Sequence, residues 1–216
     1  ANPDPRLRFA LLTDFADAPA EHMPEDDTVL RAALDGVRAL NARYADGGPD
    51  RFYVFHRRRL WNPVQGCWMG WERKRGKLSE FNRLLRGARD TSYTTLSGDP
   101  GLLPRVRYVL TLDADTQLPH DAARRLIATL AHPLNRPRFD PASGRVVEGY
   151  GVLQPRVSLT LTGMRKSRFA RVFGGSAGLD PYTTAVSDVY QDLFGVGNFT
   201  GKGIYDVDAF AAATGR

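Results

Sequence analysis

The sequence predicts an α/β fold with a mostly parallel sheet flanked by helices, and three observations support it. Short apolar segments that suit strands alternate along the chain with longer segments of helical periodicity. Hydrophobic residues make up 42% and charged residues 25% of the 216 positions, close to the average of globular proteins. No repeat or low-complexity linker divides the chain, so we predict a single domain over residues 1–216.

Strands are predicted where apolar runs are short and end at polar or turn-forming residues. The first run, residues 8–13, is apolar enough for a buried strand, and residues 106–112 (VRYVLTL) give the clearest strand signal. The predicted strands are residues 8–13, 51–56, 106–112 and 146–154. Helices connect them, which indicates parallel pairing.

Helices are predicted where apolar residues recur at spacings of three and four. The first covers residues 26–44 and begins at a cap formed by Asp26 or Asp27. Its apolar stripe consists of Val29, Ala33, Val37, Leu40 and Tyr44. The further predicted helices are residues 77–85, a helix that Pro119 starts and that runs to about residue 130, and residues 182–194.

Polar side chains follow each predicted strand at its carboxyl end. They are Asp14, Arg57, the pair Asp113 and Asp115, and Gln154. Ligands of open α/β sheets bind at the carboxyl ends of the strands. The sequence therefore predicts that these four positions converge on one site.

The Asp113-Ala114-Asp115 segment places two carboxylates at the end of a buried strand. Like charges repel there unless a cation lies between them. Carboxylate oxygens suit Mg²⁺ and Mn²⁺, and Mg²⁺ completes its shell with water and substrate phosphates. The alternative is a simple turn in which Asp115 caps the following helix.

Basic residues cluster in two segments, the Arg57–Arg59 run and residues 72–77, in a chain of net charge +6. They could bind nucleic acid, line a diphosphate pocket, contact a membrane surface or form a solvated face. Gly76 and Lys77 at a predicted helix start favour a phosphate. The intervening Trp61, Trp68 and Trp71 suit stacking on bases or sugars, or packing in the core.

Some classes of site are excluded by residue spacing. The single cysteine, Cys67, excludes an intramolecular disulfide and a cysteine zinc site. The glycine-rich segment 195–203 has the wrong spacing for a Walker P-loop. It suits either a loop close to a substrate or an ordinary glycine turn. No apolar stretch approaches the ~18 residues of a membrane span.

These motifs together resemble the glycosyltransferase domain of cyclic β-1,2-glucan synthases. The resemblance covers essentially the whole chain, with long strings in the same order and spacing. The strings are LLTDFAD (11–17), FHRRR-WN (55–62), WMGWERKRGKLSEFNRLL (68–85), VLTLDADT-LP (109–119), RVVEGYGVLQPRV (145–157) and SDVYQDLF-G-FTGKGIYDVDAF (187–210). The resemblance implies a GT-A-type fold, a UDP-glucose donor, Mg²⁺ or Mn²⁺, and inverting transfer to a growing β-glucan.

The resemblance also implies roles for individual residues. Asp113 and Asp115 match the metal-binding aspartates, and Asp14 matches the aspartate that holds the uracil or ribose. The donor-binding positions it implies are Asp14, Arg57, Arg58, Lys77, Asn82 and Asp113, with the Arg57–Arg59 run near the diphosphate. The positions it implies on the acceptor side are Gln154, Asp188, Gln191, Asp192 and Lys202.

The family has a strand before the position of residue 1 and a catalytic base beyond the position of residue 216. We therefore expect a donor-binding core, incomplete at both ends, without polymerase activity of its own. The resemblance further implies a large multi-span membrane protein that carries this domain on the cytoplasmic side of the inner membrane. It implies no nucleic-acid partner and a role in making osmoregulated periplasmic glucans.

Three other functions remain open on the sequence alone. A basic nucleic-acid-binding module fits the charge and the tryptophans, although the aspartates would repel a nucleic-acid backbone. A nucleotidyltransferase would share the metal and nucleotide but act on a nucleoside triphosphate. A scaffold that has lost catalysis would keep the fold, but retention of Asp14, Lys77, Asp113 and Asp115 argues against it.

Overall fold

The structure, a computed structural model, describes residues 2, 4–140, 142–155, 199 and 201–214. The predicted helix 182–194 and most of the glycine-rich segment 195–203 lie outside these residues. In the described part of the chain, no helix has both the length and the apolar character needed to span a bilayer.

The first sheet contains three strands, which lie side by side in chain order. They are β1 (Phe9–Asp14), β2 (Phe52–Arg57) and β5 (Tyr93–Leu96). β1 and β2 are parallel, as their connection through helix α1 (Asp26–Arg43) requires. Their register places Asp14 opposite Arg57. β5 runs antiparallel to β2.

The second sheet contains strands from distant parts of the sequence. β10 (Gly203–Asp206) lies between β6 (Tyr108–Thr111) and β9 (Val152–Leu153), antiparallel to both. Two hairpins complete the strands: β3 (Leu60–Asn62) with β4 (Cys67–Met69), and β7 (Arg138–Phe139) with β8 (Val146–Glu148). The remaining helices of the described residues are α2 (Arg73–Leu85), α3 (Ala122–Ala131) and α4 (Val207–Thr214).

Helix α2 packs between the two sheets and so joins them into one core. Its Phe81 and Leu85 contact Phe55 of the first sheet and Tyr205 of the second within a single buried cluster. The other buried members are Tyr53, Tyr93, Leu103 and Val207. The beginning of α2 therefore lies where the ends of strands from both sheets can reach it.

The α/β class is confirmed, but the prediction of a mostly parallel sheet is wrong for the described residues. Only the β1–β2 pair is parallel there, and the other strand pairs are antiparallel. A helical connection indicates parallel pairing only when the two strands that it joins are neighbours in one sheet. Here β10, from a distant part of the sequence, lies between β6 and β9 and separates them.

Several predicted boundaries also differ. The predicted strand 146–154 is divided into β8 and β9, because Gly149 adopts a positive φ of 73° in the turn between them. Helix α2 begins four residues before the predicted start at Lys77, and α3 begins three residues after Pro119. Of the predicted apolar stripe on α1, only Val37 is buried. The first half of β1 is exposed, as befits an edge strand.

Gly76 is required by close packing in the first turn of α2. A Cβ atom at this position would lie 2.1 Å from the Trp71 carbonyl oxygen and 2.7 Å from Cε3 of its ring. We expect Gly76→Ala to lower the free energy of unfolding by about 1–3 kcal/mol through overpacking, in spite of alanine's higher helix propensity.

Gly36 offers a matched control, because it lies inside α1 and a Cβ atom added there would meet no atom within 4 Å. Gly36→Ala should raise the free energy of unfolding by roughly 0.5–1 kcal/mol in the same urea titration. Equal responses of the two variants would contradict a packing requirement at Gly76.

Candidate functional site

Asp14, at the end of β1, is held between two cations. Arg57 Nε donates to Asp14 Oδ1 at 2.6 Å, and Lys77 Nζ lies 2.7 Å from Asp14 Oδ2. Gly70 packs closely against Asp14 and Arg57. A Cβ atom at Gly70 would lie 2.8 Å from Cγ of Asp14 and 3.0 Å from Nη2 of Arg57. The convergence predicted for the first two strand ends is thus present in the structure.

Arg57 is fully buried beneath Asp14, and all three of its guanidinium nitrogens donate hydrogen bonds. Besides Asp14, the acceptors are Glu80 Oε2 at 2.9 Å and the carbonyl oxygens of Trp71 and Arg73. Burial alone lowers the pKa of Arg57, but the bonds to Asp14 and Glu80 outweigh it and raise that pKa. The structure thus places Arg57 behind Asp14, where it holds that carboxylate in position, and its predicted donor contact stays a prediction.

Glu80 belongs to the same buried network as Arg57, although none of the sequence motifs singled it out. It is buried on α2 and accepts hydrogen bonds from the Ser92 backbone N–H at 2.8 Å and from Arg57. A buried carboxylate of this kind is stable only when it is paired and hydrogen-bonded. The available signal was its place one helical turn after Lys77, on the same face of α2.

Arg59 is occupied elsewhere. Its guanidinium binds both oxygens of the buried Asp26, at 2.5 and 2.9 Å, and the carbonyl oxygens of Ala16 and Glu21. This bond to Arg59 is the main cause that lowers the pKa of Asp26. Asp26 thus stabilises the loop before α1 and does not cap the helix, whose N-cap is Glu25. Of the arginine run, only Arg58 is exposed, so the run does not form one phosphate-binding patch.

Asp113 lies in a tight turn after β6, closed by a hydrogen bond from the Thr116 N–H to the Asp113 carbonyl oxygen at 3.0 Å. Its two carboxylate oxygens face two ammonium groups: Lys74 Nζ contacts Oδ1, and Lys202 Nζ lies 3.2 Å from Oδ2. The bond to Lys74 is the main cause that lowers the pKa of Asp113.

Asp115, two residues further on, is exposed to solvent. The alternative prediction that it caps the next helix is wrong, because α3 begins at Ala122 with Asp121 at its N-cap. The turn, by contrast, is present. Asp115 is thus available to a ligand that enters from solvent.

The donor set at this turn fits Mg²⁺ or Mn²⁺ bound together with a phosphate. Two carboxylates supply the one or two protein ligands that Mg²⁺ takes beside phosphate and water. Within the described residues, no three His, Cys, Asp or Glu side chains come together as a complete metal site. A cation at Asp113 would repel the two ammonium groups that contact its carboxylate, which favours the displacement of at least one of them.

Lys74 and Lys77 connect Asp14, which lines a cleft, with Asp113 beside it. They are one turn apart on α2, and each contacts an aspartate from a different sheet: Lys77 binds Asp14, and Lys74 binds Asp113. The cleft has a volume of about 620 Å³ and is lined by Asp14, Phe15, Ala16, Asp17, Gly70, Arg73, Lys74 and Lys77. No sequence motif distinguished Lys74 from the other basic residues of its segment, yet it is the residue that connects the two halves.

The other predicted positions fall in three groups. Asn82 is buried in the core, where its Oδ1 accepts from the Tyr205 hydroxyl at 2.9 Å, and its predicted donor contact stays a prediction. Gln154 lies beside Gly203, which pairs with Thr111 at the end of β6, since a Cβ at Gly203 would lie 3.2 Å from the Gln154 Cα. Lys202, predicted on the acceptor side, contacts Asp113. Asp188, Gln191 and Asp192 lie outside the described residues.

The tryptophans have different surroundings. Trp61 and Trp68 face each other across the β3–β4 hairpin with ring centroids 5.9 Å apart, and Trp61 is about half exposed. Trp71 lies against Gly76, and its carbonyl oxygen accepts from Arg57. Trp71 is therefore partly structural, whereas the Trp61–Trp68 pair presents an aromatic surface.

Comparison with known proteins supports the resemblance that the motifs indicate. No family model matches the chain. The chain is 53% identical over 214 residues, 99% of its length, to cyclic beta-(1,2)-glucan synthase NdvB of Rhizobium meliloti (strain 1021). It spans 8% of the length of that relative. The predicted resemblance to a cyclic β-1,2-glucan synthase is thereby confirmed, and the similarity is to one segment of a much longer protein.

Proposed function

We propose that this chain binds the nucleotide-sugar donor for glucan synthesis: a UDP-glucose-dependent, inverting glucosyltransferase domain of GT-A type that builds β-1,2-linked glucan. The observation that carries the proposal is the pairing of Lys77 with Asp14 and of Lys74 with Asp113 on consecutive turns of α2. This pairing supports a nucleoside site at Asp14 and a diphosphate site at the neighbouring lysines, which line the same cleft.

Asp14 supplies the uridine end of the proposed site. Although Arg57 and Lys77 each bond one of its oxygens, a carboxylate oxygen has a second lone pair. The Asp14 side chain keeps 15% of its surface exposed, enough to accept a further hydrogen bond from a uracil N–H or a ribose hydroxyl. The buried Arg57 holds Asp14 in place for that contact.

The diphosphate end lies between Lys74 and Lys77. In the transfer, an acceptor hydroxyl oxygen bonds to the anomeric carbon of glucose, the bond from that carbon to the β-phosphate oxygen breaks, and UDP leaves with the electron pair. A general base takes the hydroxyl proton. Fixed ammonium groups stabilise the negative charge that develops on the diphosphate. Asp113 and Asp115 would hold Mg²⁺ or Mn²⁺, which when bound acts there as a Lewis acid.

The same proposal includes the site of the glucan acceptor and the cellular location of the chain. We propose that the growing β-glucan approaches the donor sugar beside Gln154 and Lys202, a placement that the contact of Gln154 with Gly203 and of Lys202 with Asp113 supports. The relative's name states glucan synthesis, and we propose the same role for this chain within a larger membrane protein, on the cytoplasmic side of the inner membrane.

Competition binding, a pyrophosphate assay and a gel shift separate this proposal from two of the other functions, the nucleotidyltransferase and the nucleic-acid-binding module. We expect UDP-glucose to displace a fluorescent UDP probe from the chain at least about tenfold better than ADP-glucose, because Asp14 recognises the uridine. UTP with a sugar phosphate should release no pyrophosphate. A nucleic-acid gel shift that weakens steeply with salt and is unchanged by Asp113→Ala would favour a nucleic-acid-binding module instead.

A further inference from the structure

The side chain of Lys74 reaches Asp113 by passing close to Gly201. A Cβ atom at Gly201 would lie 2.9 Å from Lys74 Cε and 3.0 Å from its Nζ. The ammonium group then contacts Asp113 Oδ1 from one side, while Lys202 contacts Oδ2 from the other. We name these three side chains the Lys74–Asp113–Lys202 triplet.

The triplet and a metal ion compete for the same oxygens. A divalent cation and an ammonium group on the same carboxylate carry like charges and repel each other, which disfavours their binding together. Lys74 nevertheless remains at the cleft when it leaves Asp113, since its stem lines the same cleft as Asp14 and Lys77. A diphosphate in that cleft would offer it a new anionic partner.

We propose that Lys74 exchanges partners: it occupies Asp113 in the ligand-free chain, and it moves to the donor diphosphate when a divalent cation takes Asp113. This inference rests on the proposed function and adds a regulatory step to it. The exchange weakens cation binding when the donor is absent. It also couples the two ligands, because each one stabilises the position of Lys74 that the other requires.

The test compares Lys74→Met with Arg75→Met, an exposed neighbour on α2 that loses the same charge. In calorimetric titrations of Mn²⁺ alone, Lys74→Met should bind about two- to fivefold more tightly than Arg75→Met, because one competitor for Asp113 is gone. With Mn²⁺ present, Lys74→Met should bind UDP-glucose at least about tenfold more weakly. Lys74→Arg should restore most of the donor affinity.

The Mn²⁺ titration and the UDP-glucose titration together distinguish a failure of this inference from a failure of the proposed function. Mn²⁺ affinity of Lys74→Met equal to or weaker than that of Arg75→Met would overturn the competition at Asp113, even if wild type binds UDP-glucose. Unchanged donor affinity in Lys74→Met would overturn the exchange. If the folded wild type binds no UDP-glucose at all, the proposed function fails, while the Mn²⁺ arm still decides whether Lys74 excludes the cation.

Discussion

Arg57→Met is expected to lower the free energy of unfolding by about 3–5 kcal/mol, because it leaves the carboxylates of Asp14 and Glu80 without their shared cation. Arg57 is fully buried and connects β1, β2 and α2 through four hydrogen bonds. Methionine fills much of the same volume but pairs with neither carboxylate. Urea unfolding monitored by circular dichroism measures the loss.

Arg58→Met is the matched control, since the neighbouring side chain is exposed and the change in charge is the same. It should alter the free energy of unfolding by no more than about 0.5 kcal/mol. A double-mutant cycle of Arg57→Met with Glu80→Gln should be non-additive, because the two side chains bond each other. A loss below about 1 kcal/mol for Arg57→Met would contradict the central place of Arg57 in the fold.

Lys74→Met/Lys77→Met is expected to weaken binding of UDP-glucose by about 100-fold or more. Each ammonium group makes a charge-assisted hydrogen bond worth about 1.5–3 kcal/mol, and each 1.4 kcal/mol corresponds to a factor of ten in affinity. Both side chains are partly exposed, so we expect the variant to fold. Displacement of a fluorescent UDP probe measures the affinity.

The control for this pair is Arg75→Met/Arg89→Met, which removes the same net charge from two exposed positions outside the cleft lining. It should bind UDP-glucose within about threefold of wild type, since only long-range attraction changes. Equal losses in the two double variants would mean that total charge, and not the two lysines of the cleft, governs binding.

The meeting of Asp14 with Arg57 was predictable because it follows from local patterns. Each residue ends a short apolar run, and the helix between the runs requires parallel pairing, which brings both ends to one edge. The turn that contains Asp113 was predictable in the same way, because an apolar run precedes it. Strand ends are the positions where a sequence pattern places side chains most directly.

The roles of the arginines and of Lys74 could not be predicted, because they depend on packing between distant segments. Whether an arginine is buried on carboxylates or exposed to a ligand depends on what covers it: Glu80 lies 23 residues after Arg57, and Asp26 lies 33 residues before Arg59. Lys74 reaches Asp113 over Gly201, more than 120 residues along the chain. The prediction of a mostly parallel sheet was wrong for the same reason, since β10 pairs with β6 across about 90 residues.

The measurement that tests the central claim most directly is a calorimetric titration of UDP-glucose into the 216-residue chain, with Mn²⁺, without metal, and with Asp113→Asn/Asp115→Asn. If the cleft at the beginning of α2 is the donor site, the wild type binds with Mn²⁺, and affinity falls at least about tenfold when either the metal or the two aspartates are removed. Equal affinity in all three titrations, or no binding by a chain that circular dichroism shows to be folded, would contradict it.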